Sequence, residues 1–578
     1  MKRFKAFAAV LLSASMLTAP LPALAQTQQL LNYPSIHKPM QSEAGLVVSQ
    51  NAIASDVGAK ILAKGGNAVD AAVATALALA VVLPRAGNLG GDGFMLIHLA
   101  DGDRTIMIDY RSVAPAASKL EMFVGPDGKE KTDAAKGYRA PGVPGTVAGL
   151  YMAQTKYGRL KWADIVQPAI ELADKGVPLS HDEAWTLNWG HDRLQGSDEG
   201  RKTFFKADGS EYAAGDILRQ ADLAWTLRQI QAGGADAFYK GAIAAKIDAD
   251  MKAHGGLITA ADLAHYKAVE RKPLVGTYRG YTVYTVPPAS TGGVALIEEL
   301  NILETQDMAA AGQGSAQSLH LMAEAMKLGT ADRLHYVGDT DFVTVPLAGM
   351  MSKAYAKQQA ALISPDTSIP ASSLKAGNPG QFESPHTTHF SIADKDGNAV
   401  SNTFTLGADF GSGVAVDGAG FLLNNEMDNF SHGAALRAQN EGRPLPPNAM
   451  VPGKRMLSTM SPTMVFKDGK PVLITGSPGG GTIIATVLQM IVDVVDYHLN
   501  VEEATHQPRI YQANSDVLEV EPNFNPDTLA RLKALGHTIK VGETIGSAQS
   551  ILIDKGHFYG GVDPRRPGAA AVSPDGLK

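Results

Sequence analysis

Residues 384–406 read SPHTTHFSIADKDGNAVSNTFTL. Apolar and polar residues alternate on both sides of Asp394-Lys395-Asp396-Gly397-Asn398, the period-2 pattern of two strands joined by a short turn. A loop from Asp394 to Asn398 pairs Ala393 with Ala399 and so sets Thr405 opposite Thr387. The first strand opens abruptly, on a Thr-Thr pair just after Pro385-His386. Two readings are open. Threonine favours strands, so this can be a plain β-hairpin. Alternatively, Thr387 becomes a chain terminus. Threonine is a poor nucleophile inside a chain, but at a terminus its own α-amine, with a pKa of about 7.7–8.0, serves as the base. The Thr387 hydroxyl would then attack the His386 carbonyl, and hydrolysis of the resulting ester would free the Thr387 amine.

The surroundings suit the second reading. Residues 360–386 are rich in Ser, Pro and Gly with little periodicity, and read as a linker. Upstream, Ala71 to Leu83 is an Ala-rich apolar run after Gly-Gly-Asn that stops at Pro84. It reads as a buried helix. Residues 145–270 are mostly helical in period, and helices are expected over 293–305 and 315–334. After 387 strand hairpins dominate, including TMVFKDGKPVLITG with its Asp468-Gly469 turn, followed by a helix over 482–497.

The chain has 578 residues, enough for two to four domain-sized units or one large body. A net charge of −7 offers no basic field for nucleic acid or a membrane surface. Lys2, Arg3 and Lys5 precede an apolar run and Ala23-Leu24-Ala25, the pattern of a signal peptide cut after Ala25. The expected location is the periplasm or the exterior. The chain has no cysteine, which excludes disulfides, thiolate metal sites and a cysteine nucleophile.

Standard motifs do not fit. GPDGKEKT and GSDEGRKT have the wrong spacing for a phosphate loop. Gly90-Gly91-Asp92-Gly93 precedes a strand, whereas a dinucleotide loop follows one. In a strand, His386 and His389 of HTTH point to opposite faces, so no metal site is expected there. GSPGG at 476–480 lacks the spacing of a nucleophile elbow and reads as a loop of main-chain amides.

TTHFSIADKDGNAVSNTFTL, GFLLNNEMDNFS, LSTMSPTMV and TGSPGGGTI, in this order, resemble the small subunit of the γ-glutamyltransferases, which are N-terminal-nucleophile hydrolases. GGNAVDAAVA, GGDGFML, DYRSVAPAA, PGVPGTVAGL and PPASTGG extend the resemblance back to about residue 45. It implies a four-layer αββα sandwich, an α/β fold made as one precursor and cut once. The pieces would be a signal peptide (1–25), a large subunit (26–386) and a small catalytic subunit (387–578), joined as a heterodimer in one body. It implies Thr387 as nucleophile, supported by the Thr405 hydroxyl, with Gly479 and Gly480 as oxyanion hole. Arg111, Ser458 and Thr459 match the cluster that takes the substrate α-carboxylate. Glutathione and other γ-glutamyl amides are the implied donors, water or an amino acid the acceptor, and no metal or organic cofactor is needed.

Two positions depart from the family pattern. Gly407 stands where Asn is common, and Asn429 where the second Asp of NNxMDDF is common. Both serve the substrate α-ammonium in the family, as does Glu426, which remains. A neutral residue in place of a charged partner forfeits about 1.5–3 kcal/mol. The alternative is therefore a glutaryl-type acylase, whose donor has the carboxylate and no amine. Asp428, read as a strand neighbour, would point away from this group. Residues 431–455 match the place of the family's active-site lid and contain no aromatic residue. A non-catalytic binder on the same fold and an uncut, dormant precursor are the remaining alternatives.

Overall fold

The structure, a computed structural model, describes residues 35–374 and 386–577. The expected signal peptide lies outside these residues, as does the segment 375–385 just before the expected cut.

The hairpin that opens the argument is the centre of the molecule. Strands His386–Asp394 and Ala399–Gly407 pair antiparallel with Ala393 opposite Ala399, as the turn length dictates. The register runs without a break to Thr388 opposite Phe404, then shifts between Thr388 and His386, which pairs with Gly407. The irregularity thus spans Thr387. The hairpin forms the middle of a seven-stranded antiparallel sheet. Gly45–Ser49 flanks its first strand and Asp92–Leu99 its second, with Ala570–Val572 beyond the one and Arg104–Asp109 and Val269–Arg271 beyond the other.

A second seven-stranded antiparallel sheet lies against the first. Its order is Met40–Ser42, His557–Val562, Gln549–Asp554, Lys470–Thr475, Thr463–Lys467, Tyr281–Thr285, Leu274–Tyr278. Leu46, Val48, Phe94, Leu96 and Met107 of the first sheet share one apolar cluster with Val465, Leu473, Ile474 and Ile551 of the second. Because side chains alternate faces along a strand, Val47, Met95 and Ile97 point the other way. They join the cluster built on helices Ala52–Ala63 and Ala68–Val82. Helices Gly292–Glu304, Ala316–Tyr336 and Thr482–Val495 cover the far face of the second sheet. The result is the four-layer αββα sandwich. Both sheets interleave strands from before and after Thr387, so a cut there would leave one shared core.

The helix Ala68–Val82 starts three residues earlier than the apolar run suggests. Asn67 and Asp70 form a reciprocal cap at its start. Every residue of it is buried, which explains an apolar surface all round. Among the described residues no helix is long and apolar enough to cross a membrane.

The linker expectation needs a correction. Residues 353–360 form a helix, and 364–374 are bolted down. Ser368 N–H donates to Leu535 O (2.7 Å), and Ile369 N–H to Glu324 Oε2 (2.9 Å). Lys327 Nζ donates to the Ile369 carbonyl (2.7 Å) and to Ser368 Oγ (2.8 Å). Buried polar anchors on a helix hold this stretch, and they leave no hydrophobic period in it.

Candidate active site

The hairpin places Thr387 and Thr405 side by side at the end of the central strands. Both are buried, and the Thr387 hydroxyl faces Thr405 Oγ1 at 3.4 Å. Thr405 Oγ1 is itself fixed by the Gly407 N–H at 2.8 Å. The 3.4 Å contact between the two hydroxyls is long for an O–H···O bond, as catalytic contacts often are before substrate arrives. His389, two residues on, is not among the residues that line the cavity. It is fully buried between Thr403 Oγ1 (2.9 Å) and Ser391 Oγ (3.1 Å), and burial pushes its imidazole down to about 3. It is a neutral core histidine.

Thr387 and Thr405 open onto a cavity of about 570 Å³ that Arg111, Glu426, Ser458, Thr459 and Gly480 also line. The size suits a small ligand. Gly479 and Gly480 form the turn before helix Thr482–Val495, at φ +129° and +55°. These are values that side-chain-bearing residues rarely adopt, and a Cβ on Gly479 would sit 2.4 Å from Thr482 Oγ1. Among the described residues neither glycine's N–H enters a hydrogen bond. Amides at the start of a fourteen-residue helix are suited to a developing negative charge. GSPGG forms a loop whose Gly480 lines the cavity, while the Ser477 hydroxyl donates to the Pro478 carbonyl at 2.6 Å.

Arg111 lies two residues beyond strand Arg104–Asp109 and is almost fully buried. Its guanidinium is 2.6 Å from Asp92 and 2.6 Å from Glu426. Nε and Nη2 also donate to the Met456 and Leu457 carbonyls, at 3.2 and 2.6 Å. Burial works against this charge, but the two carboxylates outweigh it and hold the guanidinium's pKa above its ordinary value. The open fork expected for a substrate carboxylate is therefore largely engaged. Asp92, which sequence reasoning missed, is opposite Thr405 in the sheet register, so one strand pair positions both the hydroxyl and the anchor of Arg111. The signal was the GGDG stretch, read as a failed dinucleotide loop and as part of the family resemblance, with no role given to its Asp.

The expectation for Asp428 is corrected. Glu426–Asn429 is a single 3-10 turn, not a strand, so Glu426, Asp428 and Asn429 all line the cavity. Burial raises the Asp428 carboxyl to about 6, with Glu130 adding and Arg193 opposing. Burial also raises Glu426, against the pull of Arg111. The Asn429 side-chain amide donates to Glu426 Oε2, the oxygen that faces Arg111. Glu426 Oε1 is buried and has no hydrogen-bond partner among the described residues. At the other departure, Gly407 has φ +93°, and a Cβ there would lie 2.2 Å from Asn425 Oδ1. Asn425 Oδ1 already accepts the Ala408 N–H at 2.7 Å, so Asn425 fills the space beside Gly407.

Ser458 Oγ accepts the Met460 N–H at 3.1 Å, and Thr459 Oγ1 donates to the Gly480 carbonyl at 2.8 Å. The lid stretch contributes helix His432–Asn440, and Ser431, Arg437 and Asn448 line the outer part of the cavity. His320, Glu324 and His537 bring three ligand atoms within 4.8 Å of one another, away from the cavity. The Lys327 ammonium lies 3.1 Å from Glu324 and the two imidazoles are in contact at 2.8 Å, while His537 Nδ1 is buried with no hydrogen-bond partner among the described residues.

The sequence model of the γ-glutamyltranspeptidase family matches residues 54–573. The chain belongs to that family. It is 47% identical over 533 residues to the glutathione hydrolase proenzyme of Escherichia coli K12, covering 92% of each chain. The structure of a cephalosporin acylase from Bacillus halodurans superposes with a TM-score of 0.83 at 29% identity, over 94% of this chain and 98% of that one. A γ-glutamyltranspeptidase chain from Helicobacter pylori gives a TM-score of 0.57 at 44% identity, over 59% of this chain and 99% of its own. The protein is thus an enzyme of the γ-glutamyltransferase and hydrolase type, on the N-terminal-nucleophile hydrolase fold.

Proposed function

We propose that this enzyme is matured by one self-cleavage between His386 and Thr387 and then transfers γ-glutamyl groups from glutathione and similar amides through an ester on Thr387. The large piece (26–386) and small piece (387–578) stay together as a heterodimer. The proenzyme name of the Escherichia coli relative supports a cut. So does the solved Helicobacter pylori chain, which is nearly all matched yet spans only 59% of this one.

Chemistry follows from the groups in place. The freed Thr387 α-amine takes the hydroxyl proton as the oxygen attacks the γ-carbonyl. The Gly479 and Gly480 N–H groups receive the oxyanion, and the Thr405 hydroxyl holds Thr387 in place. The leaving amine takes a proton and departs. Water or an amino acid then attacks the ester and restores the threonine. The N-terminal signal pattern supports a periplasmic or secreted site of action.

The single observation that carries the donor assignment is the Arg111–Glu426 pair at 2.6 Å, with Glu426 Oε1 left unpartnered beside the cavity. An α-amino-acid headgroup is a zwitterion. It can place its carboxylate toward Arg111 and Ser458 and its ammonium on Glu426, with charges matched on both sides. Asn429 supports this by donating to the Glu426 oxygen on the Arg111 side.

The glutaryl reading rests on Gly407, Asn429 and the likeness to a cephalosporin acylase. A glutaryl group would bring a second carboxylate against Glu426 with no amine to meet it. Parallel kinetics on γ-glutamyl and glutaryl p-nitroanilides test the assignment. The γ-glutamyl donor should have the higher kcat/KM by at least about tenfold, the value of one charge-assisted hydrogen bond. Equal or reversed values would hand the donor site to the acylase reading.

A further inference from the structure

We infer that the Thr459 hydroxyl is a positioning group of the oxyanion hole rather than a ligand of the substrate carboxylate. The inference rests on the Thr387 reading above.

A hydroxyl has one proton to donate. Thr459 spends it on the Gly480 carbonyl at 2.8 Å. A carboxylate accepts hydrogen bonds and cannot donate them, so the Thr459 hydroxyl has no proton left to offer one. Its neighbour differs. Ser458 Oγ accepts from the Met460 N–H, and its own proton enters no hydrogen bond among the described residues. Both residues line the cavity with Thr387. Two adjacent hydroxyls therefore divide the work, Ser458 toward the substrate and Thr459 toward the loop.

The partner that Thr459 holds matters for the chemistry. Gly479 and Gly480 sit at φ +129° and +55°, and glycine has no side chain to hold such a turn in place. The turn is pinned by its carbonyls instead. Gly479 O accepts from Thr482 Oγ1 (2.9 Å) and the Thr482 N–H (3.1 Å). Gly480 O accepts from the Ile483 N–H (3.1 Å) and from Thr459. Thr482 and Ile483 belong to the same turn and its helix. Thr459 ties the turn to a separate element.

That element is rigid. The Ser458 carbonyl accepts from the Thr291 N–H (2.7 Å), Thr291 Oγ1 (3.0 Å) and Ser290 Oγ (3.2 Å), and the Thr459 carbonyl accepts from Ser461 Oγ (2.9 Å). The segment that presents Ser458 to the carboxylate thus also holds the Gly480–Gly481 peptide plane, next to the plane that carries the Gly480 N–H. A small misalignment of such donors costs rate rather than binding, because the oxyanion exists only on the way through the reaction.

The test compares Thr459→Val, Thr459→Ser and Ser458→Ala with wild type, on γ-glutamyl p-nitroanilide and with free glutamate as competitor. Thr459→Val should lower kcat about 10- to 100-fold, below the full cost of a lost oxyanion donor, with KM and the glutamate inhibition constant within about threefold. Thr459→Ser, which keeps the hydroxyl, should return kcat to within about threefold. Ser458→Ala should raise KM and the glutamate constant instead. A folded Thr459→Val chain that stays uncut while Ser458→Ala is cut supports the same role, since self-cleavage has no substrate carboxylate to bind. If Thr459→Val raises KM and the glutamate constant at unchanged kcat, or changes neither, the inference falls. Wild type that is neither cut nor active would overturn the Thr387 reading itself.

Discussion

Replacing Glu426 by Gln should separate the two ends of the donor site. Glu426 is buried, with Oε2 at 2.6 Å from Arg111 and Oε1 without a hydrogen-bond partner among the described residues. The amide of Gln has nearly the same shape, keeps an oxygen for Arg111, and loses the charge that would meet an α-ammonium. A hydrogen bond to a charged group is worth about 1.5–3 kcal/mol, which is roughly 10- to 150-fold in kcat/KM for a γ-glutamyl donor. A glutaryl donor has no ammonium to lose, and removing a facing carboxylate helps it, so its kcat/KM should hold or rise. The assay is initial-rate kinetics of both p-nitroanilides on wild type and Glu426→Gln, with melting temperature as the control for folding. Equal losses on both donors would refute the reasoning, because they would mean that Glu426 serves only to hold Arg111. No loss on either would remove Glu426 from the site.

Three further outcomes follow from the same geometry. Asp92→Asn weakens the 2.6 Å pair that fixes Arg111, and KM for the γ-glutamyl donor should rise about 10- to 100-fold by the same charged-bond scale; an unchanged KM would make Asp92 a bystander. Glu426 binds ammonium only when ionised, and burial raises its pKa. As pH falls through that raised value the ionised fraction drops, so KM for γ-glutamyl donors should climb on the acid side, starting above the ordinary carboxylate range of about 4.3, while glutaryl KM does not. A γ-glutamyl KM flat down to that range would contradict this. Gly479→Ala puts a methyl 2.4 Å from Thr482 Oγ1 on a φ of +129°, and kcat should fall about 100- to 1000-fold with KM less affected; wild-type kcat would exclude Gly479 from the hole.

The central hairpin was legible because strand period and turn length are local properties. Ala393 opposite Ala399 follows from five turn residues, and the approach of Thr405 to Thr387 follows from that. The buried helix Ala68–Val82 was legible for the same reason, apart from the cap that extends it to Ala68. The roles of Arg111, Gly479 and Gly480 came from resemblance, and of these Arg111 and Gly480 line the cavity with Thr387. What stayed hidden are contacts between distant parts of the chain. Asp92, Arg111 and Glu426 meet through space, and no period in the sequence links them. The bond from Thr459 to Gly480 joins a loop to a helix start in the same way. Asp428 was misjudged because a short Asn-rich motif between strands was read as strand, whereas its backbone turns within four residues. The stretch 364–374 looked loose because buried Glu324 and Lys327, not apolar side chains, secure it.

The most direct test is N-terminal sequencing and intact mass of the purified, active protein. The account predicts two chains, the smaller beginning Thr-Thr-His-Phe at Thr387, and a Thr387→Ala chain that stays whole and inactive. A wild-type protein that is active as one intact chain, or one cut at another bond, would contradict it, because Thr387 would then have no free amine with which to work.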